Sequence, residues 1–152
     1  MKKIILCRGI QGSGKTTWAK QWVLEKPTER VRINNDDIRN MLGKYLAPER
    51  EKLVNQIRYD ILFAALYNGY DIVIDNMNLN KTEVSDIEIT IKTFNDGIPD
   101  KFQYEIEFKD FITSLDVCIE RDSKRENPVG ENVIRGTYKK YNDFYTDSNE
   151  QK

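Results

Sequence analysis

The sequence predicts an α/β domain in which helices cover both faces of a mainly four-stranded parallel sheet, a three-layer arrangement. Short apolar segments alternate with longer helical segments along nearly the whole chain, as parallel sheets with right-handed crossovers require. The length of 152 residues suits one domain, and 39% hydrophobic residues suffice for a core on both faces of the sheet. Ligands of such folds bind at the carboxyl ends of the strands.

The first predicted strand and helix lie at the amino terminus. Lys2–Arg8 is a short run of mostly aliphatic residues ended by a glycine, which indicates a buried parallel strand. Helix formers fill Lys15–Glu25 until a proline ends the pattern. Trp18 and Trp22 lie four residues apart on this helix, and we expect them in the core rather than at a base-stacking site.

The second strand is predicted at Val31–Asn34. The polar residues 35–37 follow it and are expected to cap a helix that begins at Ile38. Pro48–Tyr67 has apolar residues at helical spacing and ends at an Asn-Gly pair, which predicts a long packing helix. Its predicted buried stripe consists of Leu53, Ile57, Ile61 and Ala64.

Two further strands and three helices complete the prediction. Asp71–Asp75 is an apolar strand that ends in an acid, and Lys81–Phe94 has a helical pattern. Phe102–Phe108 alternates apolar and polar residues, which predicts a fourth strand near the sheet edge. Ser114–Lys124 and Val133–Tyr145 are predicted helices around a loop that contains proline and glycine. We expect one domain over residues 1–146, with a lid at about 121–135, and a polar tail over 147–152.

Composition restricts the chemistry. The chain has no histidine, so catalysis must use carboxylates, lysine, arginine and a bound metal. The net charge of −1 excludes a global positive field, so any contact with a polyanion must be local. The longest apolar run is far shorter than the roughly 18 residues that cross a bilayer, and the amino terminus has no signal-peptide pattern. We expect a cytoplasmic protein without membrane contact, with Cys7 and Cys118 in the core.

A phosphate-binding motif lies between the first strand and the first helix. Residues 9–16, GIQGSGKT, match the pattern G-x-x-x-x-G-K-[ST] of the P-loop. Its glycines allow backbone N–H groups to converge on phosphate oxygens at a helix amino terminus. Lys15 is expected to bridge the β- and γ-phosphates of ATP or another nucleoside triphosphate, and Thr16 to bind Mg²⁺. The predicted nucleotide-binding residues here are Gly9, Gln11, Gly12, Ser13, Gly14, Lys15, Thr16 and Thr17.

Other charged residues suit phosphoryl transfer. Transfer to a hydroxyl needs a carboxylate that accepts the proton and positive charge over the migrating group. Asp36 and Asp37 are candidates for the carboxylate, and Asp75 either holds a metal-bound water or caps a strand end. Arg121 and Arg125 lie before the Pro-Gly loop, where they form either a mobile lid or a solvated charged face.

The sequence resembles the kinase domain of phage bifunctional polynucleotide 5′-kinase/3′-phosphatases, within the P-loop kinase superfamily. The resemblance spans most of the chain. Its segments are MKKIIL and GSGKTTWA, residues 33–39 (INNDDIR), Asn78-Leu79-Asn80, residues 121–125 (RDSKR), Val133-Ile134-Arg135 and Tyr138-Lys139.

The resemblance implies roles for individual residues. Asp36 would be the general base toward a 5′-hydroxyl, and Arg39 would bind the acceptor's phosphate. Arg125 would be the lid arginine on the donor phosphates, with Arg121 a weaker candidate. The family's acid before Asn-Leu-Asn stands where this chain has Asn76, whereas Asp75 precedes it. The predicted acceptor-side residues are Arg39, Asp75, Asn76 and Asn78. The chain has no Asp-x-Asp phosphatase module, so the resemblance implies kinase activity alone.

The leading functional hypothesis is ATP-dependent phosphorylation of 5′-hydroxyl ends of DNA or RNA in nucleic-acid repair. If the chain is phage-encoded, it would act in the host cytoplasm. Two alternatives stay open. One is a P-loop kinase that acts on a nucleotide, a small metabolite or a hydroxymethylated DNA base. The other is a non-catalytic ATP-binding module. The choice between DNA and RNA and the formation of a homo-oligomer also stay open.

Overall fold

The computed structural model describes residues 1–43 and 48–150. It contains four strands, β1 (Lys2–Arg8), β2 (Arg30–Ile33), β3 (Asp71–Ile74) and β4 (Tyr104–Asp110). The first helices are α1 (Lys15–Glu25), α2 (Asn35–Leu42), α3 (Pro48–Tyr67) and α4 (Lys81–Asp96). After a 3-10 turn at Asp100–Phe102 and β4 come α5 (Leu115–Ser123), α6 (Glu131–Lys140) and α7 (Asn142–Glu150). None of the helices in these ranges is long and apolar enough to cross a membrane.

The four strands form one parallel sheet with the order β2-β3-β1-β4. This confirms the predicted fold class and places β4 at an edge. Alternate residues of β1 point to opposite faces. Ile4 and Leu6 pack with α3 and α4 on one face, whereas Ile5 and Cys7 pack with α1 on the other. The sheet is therefore the middle layer of three.

A smaller apolar cluster covers the carboxyl end of the sheet. Ile10 from the P-loop packs there with Cys118 of α5, Ile134 of α6 and Tyr145 of α7. Cys7 and Cys118 are both buried, as predicted. Trp18 and Trp22 stack on each other and are half-buried against the sheet. The carboxyl-terminal helices thus pack directly on the phosphate-binding loop.

The predicted stripe of α3 is wrong by about one position. Leu53 and Ile61 are exposed, and Ala64 is exposed as well. The face that packs inward consists of Val54, Arg58, Leu62, Ala65 and Leu66. Arg58 is a polar residue in this buried face, so the face does not read as an apolar stripe in the sequence. The stripe one position away has only apolar residues, and it was predicted for that reason.

Two predicted helix boundaries also differ. α2 begins at Asn35 rather than Ile38, because the Asn34 side chain accepts a hydrogen bond from the Asp37 N–H and caps the helix. The predicted helix over Val133–Tyr145 is two helices, α6 and α7, with a break at Tyr141. Residues 147–150 of the predicted tail continue α7, and residues 151–152 lie outside the described residues.

Candidate active site

The P-loop joins β1 to α1 and is packed against α5. Gly12 has a φ of 78°, and a Cβ there would lie 2.5 Å from the Cys118 backbone oxygen. A side chain at position 12 would therefore be strained and would also collide with the helix. The loop has its shape because this glycine allows both the backbone conformation and the close approach.

Lys15 is buried inside this loop. Its Nζ donates hydrogen bonds to the backbone oxygens of Gly9 at 2.7 Å and Ile10 at 2.8 Å, and to Ser13 Oγ at 3.3 Å. Burial lowers the pKa of Lys15 to about 8, and the positive charge of Arg125 acts in the same direction. The Lys15 amino group is thus held inside the predicted phosphate-binding loop, where it loses its proton more readily than a lysine in water.

The carboxyl-terminal helices contact the same loop. The Ile10 N–H donates a hydrogen bond of 3.0 Å to the hydroxyl of Tyr145, which is buried in α7. Gln11 Nε2 donates to Thr137 Oγ1 of α6 at 3.4 Å. Tyr145 could not be predicted from a local sequence pattern, because the contact joins residues 135 positions apart.

The two predicted magnesium ligands, Thr16 and Asp75, differ in exposure, and their binding of the ion stays a prediction. Thr16 follows Lys15 in the first turn of α1 and is exposed, so its hydroxyl is free to approach an ion held by nucleotide phosphates. Asp75 has a side chain that is 0% exposed. Its Oδ2 accepts a hydrogen bond of 2.9 Å from Arg32 Nε and lies 2.9 Å from Arg32 Nη2 in an ion pair, and its Oδ1 accepts from Asn34 Nδ2 at 3.1 Å.

The predicted base and the predicted phosphate ligand lie on the same helix. Asp36 is in the first turn of α2 with its side chain 80% exposed, and its Oδ1 accepts a 2.7 Å hydrogen bond from Arg39 Nη1. Nε and Nη2 of the same guanidinium bind the two oxygens of Glu51 in α3 at 2.8 and 2.7 Å. These hydrogen bonds lower the pKa of Glu51. The sequence did not single out Glu51.

Asn76 and Asn78 both bind the protein's own backbone. Asn76 Oδ1 accepts from the Asn35 N–H at 2.8 Å, and its Nδ2 donates to Asn35 Oδ1 at 3.2 Å. Asn78 is buried, and its Nδ2 donates to the backbone oxygens of Cys7 at 2.7 Å and Ile74 at 2.9 Å. Asn78 therefore joins the ends of β1 and β3, while Asn76 joins β3 to α2. Their predicted contact with an acceptor stays a prediction.

The predicted lid begins at the end of α5. The buried carboxylate of Asp122 accepts hydrogen bonds from the N–H groups of Val129 at 3.0 Å and Gly130 at 2.9 Å, which closes the loop between α5 and α6. Arg121 Nη1 donates to the Gly12 backbone oxygen at 3.3 Å. Arg125 is half-exposed, with Nη1 at 3.9 Å from Asp122 Oδ1. Arg121, the weaker candidate from the sequence, is the arginine that touches the P-loop here.

Comparison with known proteins gives a family and several relatives. A family model described as AAA domain matches residues 4–147. Midasin from Dictyostelium discoideum is 36% identical over 86 residues, which are 55% of this chain and 1% of that protein. A putative bifunctional polynucleotide kinase/RNA ligase from Autographa californica nuclear polyhedrosis virus is 27% identical over 92% of this chain. The chain spans only 21% of that viral protein's length.

Two solved structures share the fold. A chain in a structure of the Pnkp1/Rnl/Hen1 RNA repair complex matches 97% of this chain with a TM-score of 0.75 and 22% identity. A chain in another structure of the Pnkp1/Rnl/Hen1 complex matches 79% with a TM-score of 0.62 and 24% identity. The matches span 46% and 38% of those chains. At these identities the likeness shows the fold.

Proposed function

This chain belongs to the AAA domain family, and we propose that it is a kinase that transfers the γ-phosphate of ATP to the 5′-hydroxyl end of DNA or RNA. One observation carries the proposal: a carboxylate and an arginine, Asp36 and Arg39, lie at the same carboxyl end of the sheet as the P-loop. β3 separates the strands that precede the two sites. Since neighbouring strands are about 4.8 Å apart, two spacings put about 10 Å between the start of α2 and the P-loop. A triphosphate tail fits that span.

The P-loop side binds the donor. Its backbone N–H groups and Lys15 hold the phosphates, while Arg121 and Arg125 add positive charge from the lid. Thr16 would hold Mg²⁺, which supplies charge neutralisation at the phosphate oxygens when it is bound. The exposed hydroxyl of Thr16 and the position of Arg121 on the loop support this arrangement.

The α2 side binds the acceptor. The 5′-hydroxyl oxygen attacks the γ-phosphorus, the bond from that phosphorus to the β,γ-bridging oxygen breaks, and ADP leaves. The hydroxyl proton passes to the Asp36 carboxylate, whose high exposure makes it accessible to a chain end. Arg39 lies next to Asp36 and keeps its hydrogen bonds to Asp36 and Glu51. The second N–H groups of its Nη1 and Nη2 hold the acceptor's phosphate.

The comparisons favour a polynucleotide acceptor over a small metabolite. The viral relative bears the name of a polynucleotide kinase joined to an RNA ligase, and the structural neighbours come from RNA repair complexes. This chain spans about a fifth of the first and half or less of the others. These relatives support a role in nucleic-acid repair, and we propose that the protein acts in the cytoplasm.

Transfer of labelled γ-phosphate to short oligonucleotides tests the proposal. DNA and RNA that end in a 5′-hydroxyl should be labelled, and the same strands with a 5′-phosphate should not. Unlabelled 5′-hydroxyl strands should compete, whereas free nucleosides should not. Labelling of a small acceptor alone would identify a different P-loop kinase, and binding of ATP without any transfer would identify a binding module.

A further inference from the structure

Arg32 lies at the centre of a chain of alternating charges beside the candidate active site. Its Nε donates a hydrogen bond to Asp75 after the end of β3, its Nη2 forms an ion pair with the same carboxylate, and its Nη1 binds Asp37 in the first turn of α2. All three nitrogens of the guanidinium are therefore engaged. Arg32 lies just outside the segments that resemble polynucleotide kinases, and neither the P-loop nor the proposed chemistry uses it.

Burial holds the Asp75 end of this set of charges in place, whereas the Asp37 side chain at its other end is 60% exposed. The Asp75 side chain is fully buried, and that of Arg32 is 13% exposed. In the part of the chain that the structure describes, Arg32 is the cation within ion-pair distance of Asp75. A buried carboxylate without its partner is strongly destabilising, so the two side chains hold each other in one geometry. The same carboxylate also accepts from Asn34, the residue that caps α2.

The amino terminus of α2 is thus tied to the end of β3 at separate points. Arg32 binds Asp37, Asn34 caps the helix while bound to Asp75, and Asn35 exchanges two hydrogen bonds with Asn76. Asp36, the proposed base, lies between these tied residues and makes none of these contacts itself. Its own ion pair is with Arg39 one turn further along. The orientation of the Asp36 backbone is therefore determined by the contacts of Asn34, Asn35 and Asp37.

We propose that Arg32 is a positioning residue for the acceptor side of the reaction: it clamps α2 to the end of β3 and so fixes Asp36 and Arg39 relative to the P-loop. The inference rests on the proposed kinase function. Asp75 is the buried carboxylate to which Arg32 is bound, and the two side chains form an ion pair. Loss of the clamp should therefore weaken the acceptor site and spare nucleotide binding.

The test uses Arg32→Met, Asp75→Asn, the double variant and the control Arg30→Met in the full chain. Arg30 lies on the same strand, two residues away, and binds Glu25 and the Trp22 backbone oxygen at the opposite end of the sheet. Arg32→Met should lower the Tm by about 10 °C. It should raise the KM for a 5′-hydroxyl oligonucleotide about tenfold, while the Kd for a fluorescent ATP analogue and the Mg²⁺ concentration for half-maximal rate change less than twofold.

The double variant separates positioning from stability. It removes both charges, so its Tm should return most of the way toward that of the wild type. Its KM for the acceptor should nevertheless stay raised, because Asp37 has lost its partner. Recovery of KM together with Tm would overturn the proposal, and so would an equal rise in acceptor KM in Arg30→Met. A tenfold rise in the Mg²⁺ requirement of the double variant would instead make Asp75 a metal ligand and overturn its anchoring role.

Hydrogen exchange of α2 provides a readout that needs no catalysis. Amides of residues 35–39 should exchange at least tenfold faster in Arg32→Met and in the double variant, and at the wild-type rate in Arg30→Met. If the wild type phosphorylates no 5′-hydroxyl end, the kinase proposal fails, while faster exchange still supports the clamp. If the wild type is active and exchange in α2 is unchanged by Arg32→Met, the clamp is refuted alone.

Discussion

Replacement of Gly12 by alanine tests the packing of the P-loop against α5. At a φ of 78° an alanine costs about 1–2 kcal/mol in the left-handed region. The new Cβ would also lie 2.5 Å from the Cys118 oxygen, and such overpacking costs about 1–3 kcal/mol more. Gly69 offers a matched control, since its φ is 72° and a Cβ there meets nothing within 4 Å.

The two variants should differ by the collision alone. Thermal unfolding should give Gly12→Ala a Tm about 5 °C below that of Gly69→Ala, from about 2 kcal/mol and the usual conversion for a domain of this size. Titration with a fluorescent ATP analogue should show weaker binding for Gly12→Ala only. Equal Tm values for the two variants, or unchanged nucleotide binding in Gly12→Ala, would refute the close packing of loop and helix.

Three further predictions concern the loop and the lid. The pKa of Lys15 is lowered to about 8, so the free protein loses this positive charge above that pH. The Kd for ATP should therefore rise above pH 8, by up to tenfold per pH unit. A Kd that does not change from pH 7 to 9.5 would contradict this. Tyr145→Phe leaves the buried Ile10 N–H without its acceptor and should lower the free energy of unfolding by about 1–3 kcal/mol, whereas the exposed Tyr67→Phe should change it little in the same urea titration. Asp122→Ala removes both hydrogen bonds that close the loop between α5 and α6. Proteases should then cut residues 124–130 faster, and the KM for ATP should rise. Cleavage at the wild-type rate would count against a lid that depends on Asp122.

The sequence predicted the fold because each element has a local cause. The strand at Lys2–Arg8 is a buried aliphatic run, and the helix at Pro48–Tyr67 has breakers at both ends. The buried face of that helix was missed because Arg58 points inward. The start of α2 was missed because Asn34, which the sequence pattern placed in the strand, caps the helix instead. These errors arise where a polar residue is satisfied by tertiary contacts that a local pattern does not contain.

In the candidate site, too, the residues that belong to a local motif were predicted and those that depend on tertiary contacts were not. The P-loop is contiguous, so eight residues were sufficient to predict it. Asp36 and Arg39 lie three residues apart, and the resemblance identified them together. Glu51, Arg32 and Tyr145 reach the site from other elements through side-chain contacts. The sequence could not assign them, because nothing at their own positions differs from an ordinary helix or strand residue.

In the proposed reaction, Asp36 accepts the proton of a 5′-hydroxyl held opposite the P-loop. The most direct measurement compares wild-type protein and Asp36→Ala in labelled phosphate transfer to 5′-hydroxyl oligonucleotides, with ATP binding measured on the same samples. We expect transfer to fall at least a hundredfold while the Kd for ATP stays within about twofold. Transfer at the wild-type rate by Asp36→Ala, with ATP still bound, would contradict the account.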